Sequence, residues 1–354
     1  MAIIDKSSDY FNTVLYTGDD TNDRQIDLDW SPDLTWIKAR NVAYSHILFD
    51  RIRGLGFSLN SNGTNADRNV GSEFSWSNSG CTTDSFTVDR GSNESLNESG
   101  RPMVAWNWKA GGTASSNTDG SITSSVSANQ DAGFSIVSYT GNETSGATVG
   151  HGLGSKPAMM IFKERNGTTG WVVYHDKNTS APATEYLQLN STAATADYAG
   201  YFNDTEPTSS VFTLGNDTGI NQSGDTYIAY CFAEKKGFSK FGSYTGNGNA
   251  DGTFVYLGFK PAFVMIKATG LVKNWLTFDN RRLGYNGAGT NKQLHPNTNG
   301  TESSGNGTTL DILSNGFKTR TTDSDENGSG NTYIYMAFAE NPLVGTNNIP
   351  ATAR

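Results

Sequence analysis

The residues of this chain that could do chemistry are few and far apart. Its four histidines, His46, His151, His175 and His295, and its two cysteines, Cys81 and Cys231, show no spacing that pairs a nucleophile with a base. His175-Asp176 comes nearest to a constellation. It falls, by position in the pattern described below, where Phe49-Asp50 and Phe278-Asp279 stand elsewhere, and so reads as a strand-end histidine beside a turn-forming aspartate. His151-Gly152-Leu153-Gly154 is a glycine-rich turn, but no helix follows it to complete a phosphate loop. Asp323-Ser324-Asp325-Glu326-Asn327-Gly328 opens like a calcium loop. Its twelfth position is Ile334, where a bidentate Glu is required, and a solvated turn is expected instead. Two cysteines at unmatched positions cannot form a metal quartet, and both are expected to be free thiols. The 35 acidic residues are dispersed over loops, so no glycosidase pair stands out. No catalytic residue, cofactor site or metal site is therefore assigned.

Binding is a better prospect. Trp171 and Trp275 occupy equivalent slots, each beginning a strand that leads toward an Asp. An indole face can stack on a sugar ring while nearby polar side chains take its hydroxyls. Trp171, Trp275, His175, Asp176 and Asp279 thus form the candidate binding set, for a glycan or a protein partner. Against this, an aromatic at a repeated strand position belongs more naturally in a core.

The elements that must carry these residues repeat three times. Asn97-Glu98-Ser99-Gly100, Asn221-Gln222-Ser223-Gly224 and Asn327-Gly328-Ser329-Gly330 are turns leading into aromatic strands that contain Val104/Trp106/Trp108, Ile228/Tyr230/Phe232 and Ile334/Met336/Phe338. Side chains alternate faces along a strand, and these large ones are expected to meet each repeat's own core. Tyr16-Thr17-Gly18, Tyr139-Thr140-Gly141 and Tyr244-Thr245-Gly246 precede the turns by 81, 82 and 83 residues. Pro32, Pro157 and Pro261 each stand six residues before a lysine, Lys38, Lys163 and Lys267. Landmarks in fixed order at near-fixed spacing predict a triplication.

With 354 residues, 40 Gly, 11% aromatic and only 17% charged residues, the chain reads as all-β and loop-rich. We expect three tandem homologous antiparallel β-sandwich (jelly-roll-like) domains: 1–110, a linker at 111–132, 133–236, 237–340, and a C-terminal tail at 341–354. Within the linker, the stretch from Ser121 to Val126 alternates enough to become an edge strand. The joint Lys235-Lys236 is so short that the second and third domains should pack as a pair, leaving the first to anchor. A net charge of −9 argues against a nucleic-acid partner, and no run of residues is apolar enough to span a membrane. No N-terminal secretion signal is visible.

The Tyr-Thr-Gly strand, the Pro-led strand ending in Lys, and the Asn-x-Ser-Gly turn into Val-Ala-Trp-Asn-Trp-Lys-Ala-Gly-Gly or Tyr-Ile-Ala-Tyr-Cys-Phe-Ala-Glu resemble a family of repeat-bearing virion proteins. These belong to tailed bacteriophages of marine and aquatic bacteria, and the resemblance runs over nearly the whole chain from Met1-Ala2-Ile3-Ile4-Asp5-Lys6. It implies a non-enzymatic virion structural protein, assembled in the host cytoplasm, of the tail-fibre or similar appendage type and contributing to host attachment. Implied partners are other tail or capsid proteins and further copies of the chain, a homotrimer by analogy with fibres. A lectin-like receptor-binding protein gripping host glycan, and a capsid decoration or head-fibre protein, are the alternatives.

Overall fold

The computed structural model describes residues 4, 6–76, 84–91, 95–282, 286, 292–303 and 310–342. Cys81 and the tail from residue 343 lie outside the described residues. The chain is all-β and antiparallel, with single-turn α-helices at Ala199–Phe202 and Thr218–Asn221. Its strands fall into three lobes, each a sandwich of one main and one smaller outer sheet.

In each lobe four strands of the main sheet keep the same order. An opening strand (Phe11–Thr17, Phe134–Thr140, Ser239–Thr245) pairs with a closing strand (Pro102–Trp108, Thr226–Phe232, Thr332–Pro342). The closing strand pairs on its other side with the Pro-led strand (Leu34–Ala39, Met159–Glu164, Phe259–Ala268). That strand in turn pairs with a fourth (Ile47–Asp50, Val172–His175, Leu276–Asp279). The outer sheets are built on Arg24–Asp27 with Ser85–Val88, Ala147–Gly150 with Val211–Leu214, and Phe254–Tyr256 with Gly316–Thr319.

The landmarks close the lobes by equivalent bonds. The hydroxyls of Tyr16, Tyr139 and Tyr244 donate to the carbonyls of Leu96, Ile220 and Glu326 at 2.8, 2.7 and 2.6 Å. Each of these carbonyls precedes the buried turn asparagine, Asn97, Asn221 or Asn327. Those side chains accept from the amides of Asp19, Asn142 and Asn247 and donate to the carbonyls of Thr21, Thr144 and Asn249. Gly18, Gly141 and Gly246 are required because a Cβ would run into the backbone of the closing turn. The lysines ending the Pro-led strands are fully buried. Each ammonium donates to the next residue's carbonyl and to a carbonyl four residues on, Val42, Gly167 or Leu271, so each caps its own loop. Burial lowers all three to about 8.

Two expectations are corrected here. The large-residue face of the closing strands does not meet a core private to each repeat. Val104, Trp106 and Trp108 join Ile228, Tyr230 and Phe232, and Ile334, Met336 and Phe338, in a single cluster shared by all three lobes. Each lobe's own core lies on the opposite face, against its outer sheet, and takes Ala105, Ala229 or Ala337. The main sheets are therefore buried on both faces. Second, residues 111–132 are not a linker. Ser115–Asn117 and Ser124–Asn129 extend the second lobe's main sheet, the latter paired in register with Phe134–Thr140. The alternation noted from Ser121 was the better guide, and with the linker goes the reason for setting the first lobe apart.

Candidate functional site

The five candidate binding residues lie where the lobes meet, buried except for the part-exposed Asp176. Trp171 is 0% and Trp275 is 2% exposed, so neither indole offers a face to a sugar. Their ring nitrogens cross to the neighbouring lobe: Trp171 donates to the Asn60 carbonyl and Trp275 to the Gln188 carbonyl, both at 2.9 Å. In the first lobe the matching slot is His46, whose imidazole stands beside the His295 carbonyl. An asparagine carbonyl, from Asn62, Asn190 or Asn297, accepts the backbone amide of each slot residue.

Strand register corrects the alignment of the histidine. Asp50, His175 and Asp279 pair with Leu34, Met159 and Phe263, so the counterpart of both aspartates is His175, not Asp176. Asp176 is displaced by one residue, beyond the strand, where it pairs with Lys177 at 2.9 Å. The three true equivalents each begin a polar chain that runs along a seam.

At the seam between the first and third lobes, Trp106 donates to Asp279 at 3.0 Å and Asp279 binds Arg282 at 2.5 Å. Arg282 reaches Glu302, which pairs with Arg40 at 2.7 Å. At the seam between the second and first lobes, Tyr230 donates to Asp50 at 2.8 Å and Asp50 binds Arg53 at 2.5 Å. Arg53 reaches Asp67, which pairs with Arg165 at 2.8 Å. The third seam repeats the layout without charge. Met336 stands where Trp106 and Tyr230 do but has no proton to donate, and the slot is filled by His175, whose Nε2 donates to the Tyr335 carbonyl at 3.1 Å. Asn178 replaces arginine and accepts from Thr195 at 2.8 Å, and Thr195 donates its amide to the Thr269 carbonyl at 2.8 Å. The other seams carry that last bond as well, from Asp67 to Arg165 and from Glu302 to Arg40. The seams thus run in one sense, first lobe to third, third to second, second to first, and close a ring.

The electrostatics match this division. His175 Nδ1 accepts the Lys177 amide while Nε2 donates, which fixes a neutral tautomer, and burial lowers its pKa to about 4. Tyr230 is raised well above the phenol range, first by burial and then by Asp50.

Residues 6–342 match DUF7483, a domain of unknown function. The chain belongs to the DUF7483 family. The match runs unbroken through all three lobes, as does the shared core, and the unit the family defines is larger than one repeat. No curated protein and no solved structure matches the chain.

Arg40, Arg165, Asp67, Glu302, Asn178 and Thr195 were missed by sequence reasoning. A signal existed for the first two: Arg40, Arg165 and Thr269 each follow a landmark lysine by two residues. Among the described residues no group of His, Cys, Asp or Glu is placed to hold a metal ion, and Cys231 is a buried free thiol raised by burial.

Proposed function

We propose that this DUF7483 chain is a non-enzymatic structural protein of a bacteriophage virion, a subunit of a tail fibre or similar appendage that contributes to host attachment. The observation that supports the reading is the use made of its polar and aromatic side chains. Most of those that looked able to do chemistry are spent on holding three lobes together: both tryptophans donate across seams, Asp279 is locked to an arginine as its counterpart Asp50 is, and His175 bonds a neighbouring carbonyl. A body built in this way has a fixed shape and presents outer sheets and loops to partners, which suits assembly. The virion setting comes from the resemblance of the repeat motifs.

The test is proteomics of density-purified particles from cells that express the chain from its native genome, followed by cryo-EM of those particles. The chain is expected in the particle in stoichiometric amount, with its density on a tail or head appendage. Its absence from purified virions would reject the proposal.

A further inference from the structure

Strand register makes the three lobes internal controls for one another. Val255 lies opposite Phe317 as Val149 lies opposite Phe212 and Ile26 opposite Phe86. The flanking residues are therefore equivalent: Gln25 and Asp27 in the first lobe, Thr148 and Gly150 in the second, Phe254 and Tyr256 in the third. The third lobe alone places aromatics there, and they are 44% and 53% exposed. The adjacent main-sheet edge departs as well. Val14 faces Ala105 and Val137 faces Ala229, but Gly242 faces Tyr335. Large and small have been exchanged, and the Tyr335 phenol lies across Gly242, filling the space a Cβ would need.

These changes leave an open groove of about 500 Å³ between the two sheet edges of the third lobe. Phe254, Tyr256 and Tyr335 wall it, and Lys177, Glu234 and Lys240 line it. Lys240 donates to the Tyr256 carbonyl at 3.0 Å and its ammonium lies 5.5 Å from that ring's centroid, which holds the ring in place. In the second lobe the same side is closed. The strand Ser124–Asn129 lies along the edge, Ile122 bridges Val149, and Gly150 is pressed against Asn117 with no room for a side chain. Tyr256 stands at the place of Gly150, so the third lobe cannot accept a strand in that manner. Its aromatics keep the edge open for something flat.

We propose that this groove is a saccharide-binding site. One pyranose ring stacks its C–H face on Phe254 and Tyr256, and its hydroxyls bond to Lys177, Glu234 and Lys240. Exposed rings beside convergent charged groups are the combination that sugar recognition needs: an apolar face for the ring and ionised partners for its hydroxyls. The cavity falls within the range of small-molecule sites, roughly 300–1,000 Å³. The stacking aromatics and Lys240 come from the third lobe and Lys177 and Glu234 from the second, and the site does not depend on where the chain resides.

The test uses the whole protein on an array of bacterial polysaccharide fragments, with hits titrated by calorimetry. Wild type, the double variant F254A/Y256A and the variant Y256W are compared. The wild type is expected to bind at least one saccharide, the double variant to lose about tenfold or more in affinity, and Y256W to retain binding. Both side chains are exposed, so the melting temperature of each variant should match wild type. Absence of wild-type binding to every saccharide, or binding unchanged in the double variant, overturns the proposal. A dimer that the double variant dissolves, with no saccharide bound, also overturns it and assigns the groove to a second copy.

Discussion

Asp279 accepts from the Arg281 and Arg282 amides, the Arg282 guanidinium and the Trp106 indole, and neither side chain of the Asp279–Arg282 pair has any exposure. Removing one partner of such a pair strands the other's charge. Arg282→Leu should destabilise the protein by about 3–5 kcal/mol, read as a lowered denaturation midpoint. His175→Ala, which breaks a neutral bond at the corresponding place, should cost about 1–3 kcal/mol. The histidines also set a pH dependence. Burial lowers His151 and His175 from 6.5 to about 4. The unfolded chain therefore takes up protons near pH 6.5 that the folded chain refuses until about pH 4. The stability each imidazole contributes is full above pH 6.5, declines as pH falls between those values, and is gone below about pH 4. Denaturation series across that window should show the decline, shallower in His151→Gln and His175→Gln; a flat profile would contradict it.

At the scale of elements, what could be read from sequence was whatever recurs at constant spacing within a lobe. The Tyr-Thr-Gly strand and the Asn-led turn were visible because one closes on the other through the same bonds three times, as with Tyr139, Asn221 and Gly141. Contacts between lobes were invisible. Asp67 and Arg165, or Arg40 and Glu302, join segments 98 and 262 residues apart, and their third counterpart is a pair of threonines, so no residue type repeats. His175 was misplaced by one position for a related reason: the Asp-Arg pattern of its counterparts is absent there, and only pairing with Met159 fixes the register. The closing turn offers a direct measurement. Asn221→Ala would leave buried carbonyls and an amide unpartnered and should cost about 1–3 kcal/mol. Gly141→Ala should cost a similar 1–3 kcal/mol through overpacking against Gln222. Tyr139→Phe, losing one hydroxyl bond, should cost about 1 kcal/mol. Thermal melts in which Asn221→Ala and Gly141→Ala match wild type would mean the turn is not held as described.

For the whole molecule, the decisive feature is that the large faces of three main sheets meet one another. A chain of separable sandwiches would unfold in independent steps and tolerate being cut at Lys235-Lys236. Here the second lobe on its own would expose Ile136, Met159, Ile161, Trp171, Tyr230 and Phe232, and would strand the indole nitrogen of Trp171. The exposed face would be a continuous apolar surface, which marks association or aggregation. Residues 115–236, the second lobe with its two added strands, expressed alone should therefore aggregate or fail to fold, while the intact chain should unfold in one transition, with calorimetric and van't Hoff enthalpies in agreement. The same geometry bears on oligomerisation. The seams already close a three-membered ring within one polypeptide, so the motive for three copies to associate is met inside the chain, and mass photometry should read about one chain mass. Three resolved thermal transitions, or a soluble and folded second lobe, would show that the central cluster contributes little and that the lobes stand by themselves.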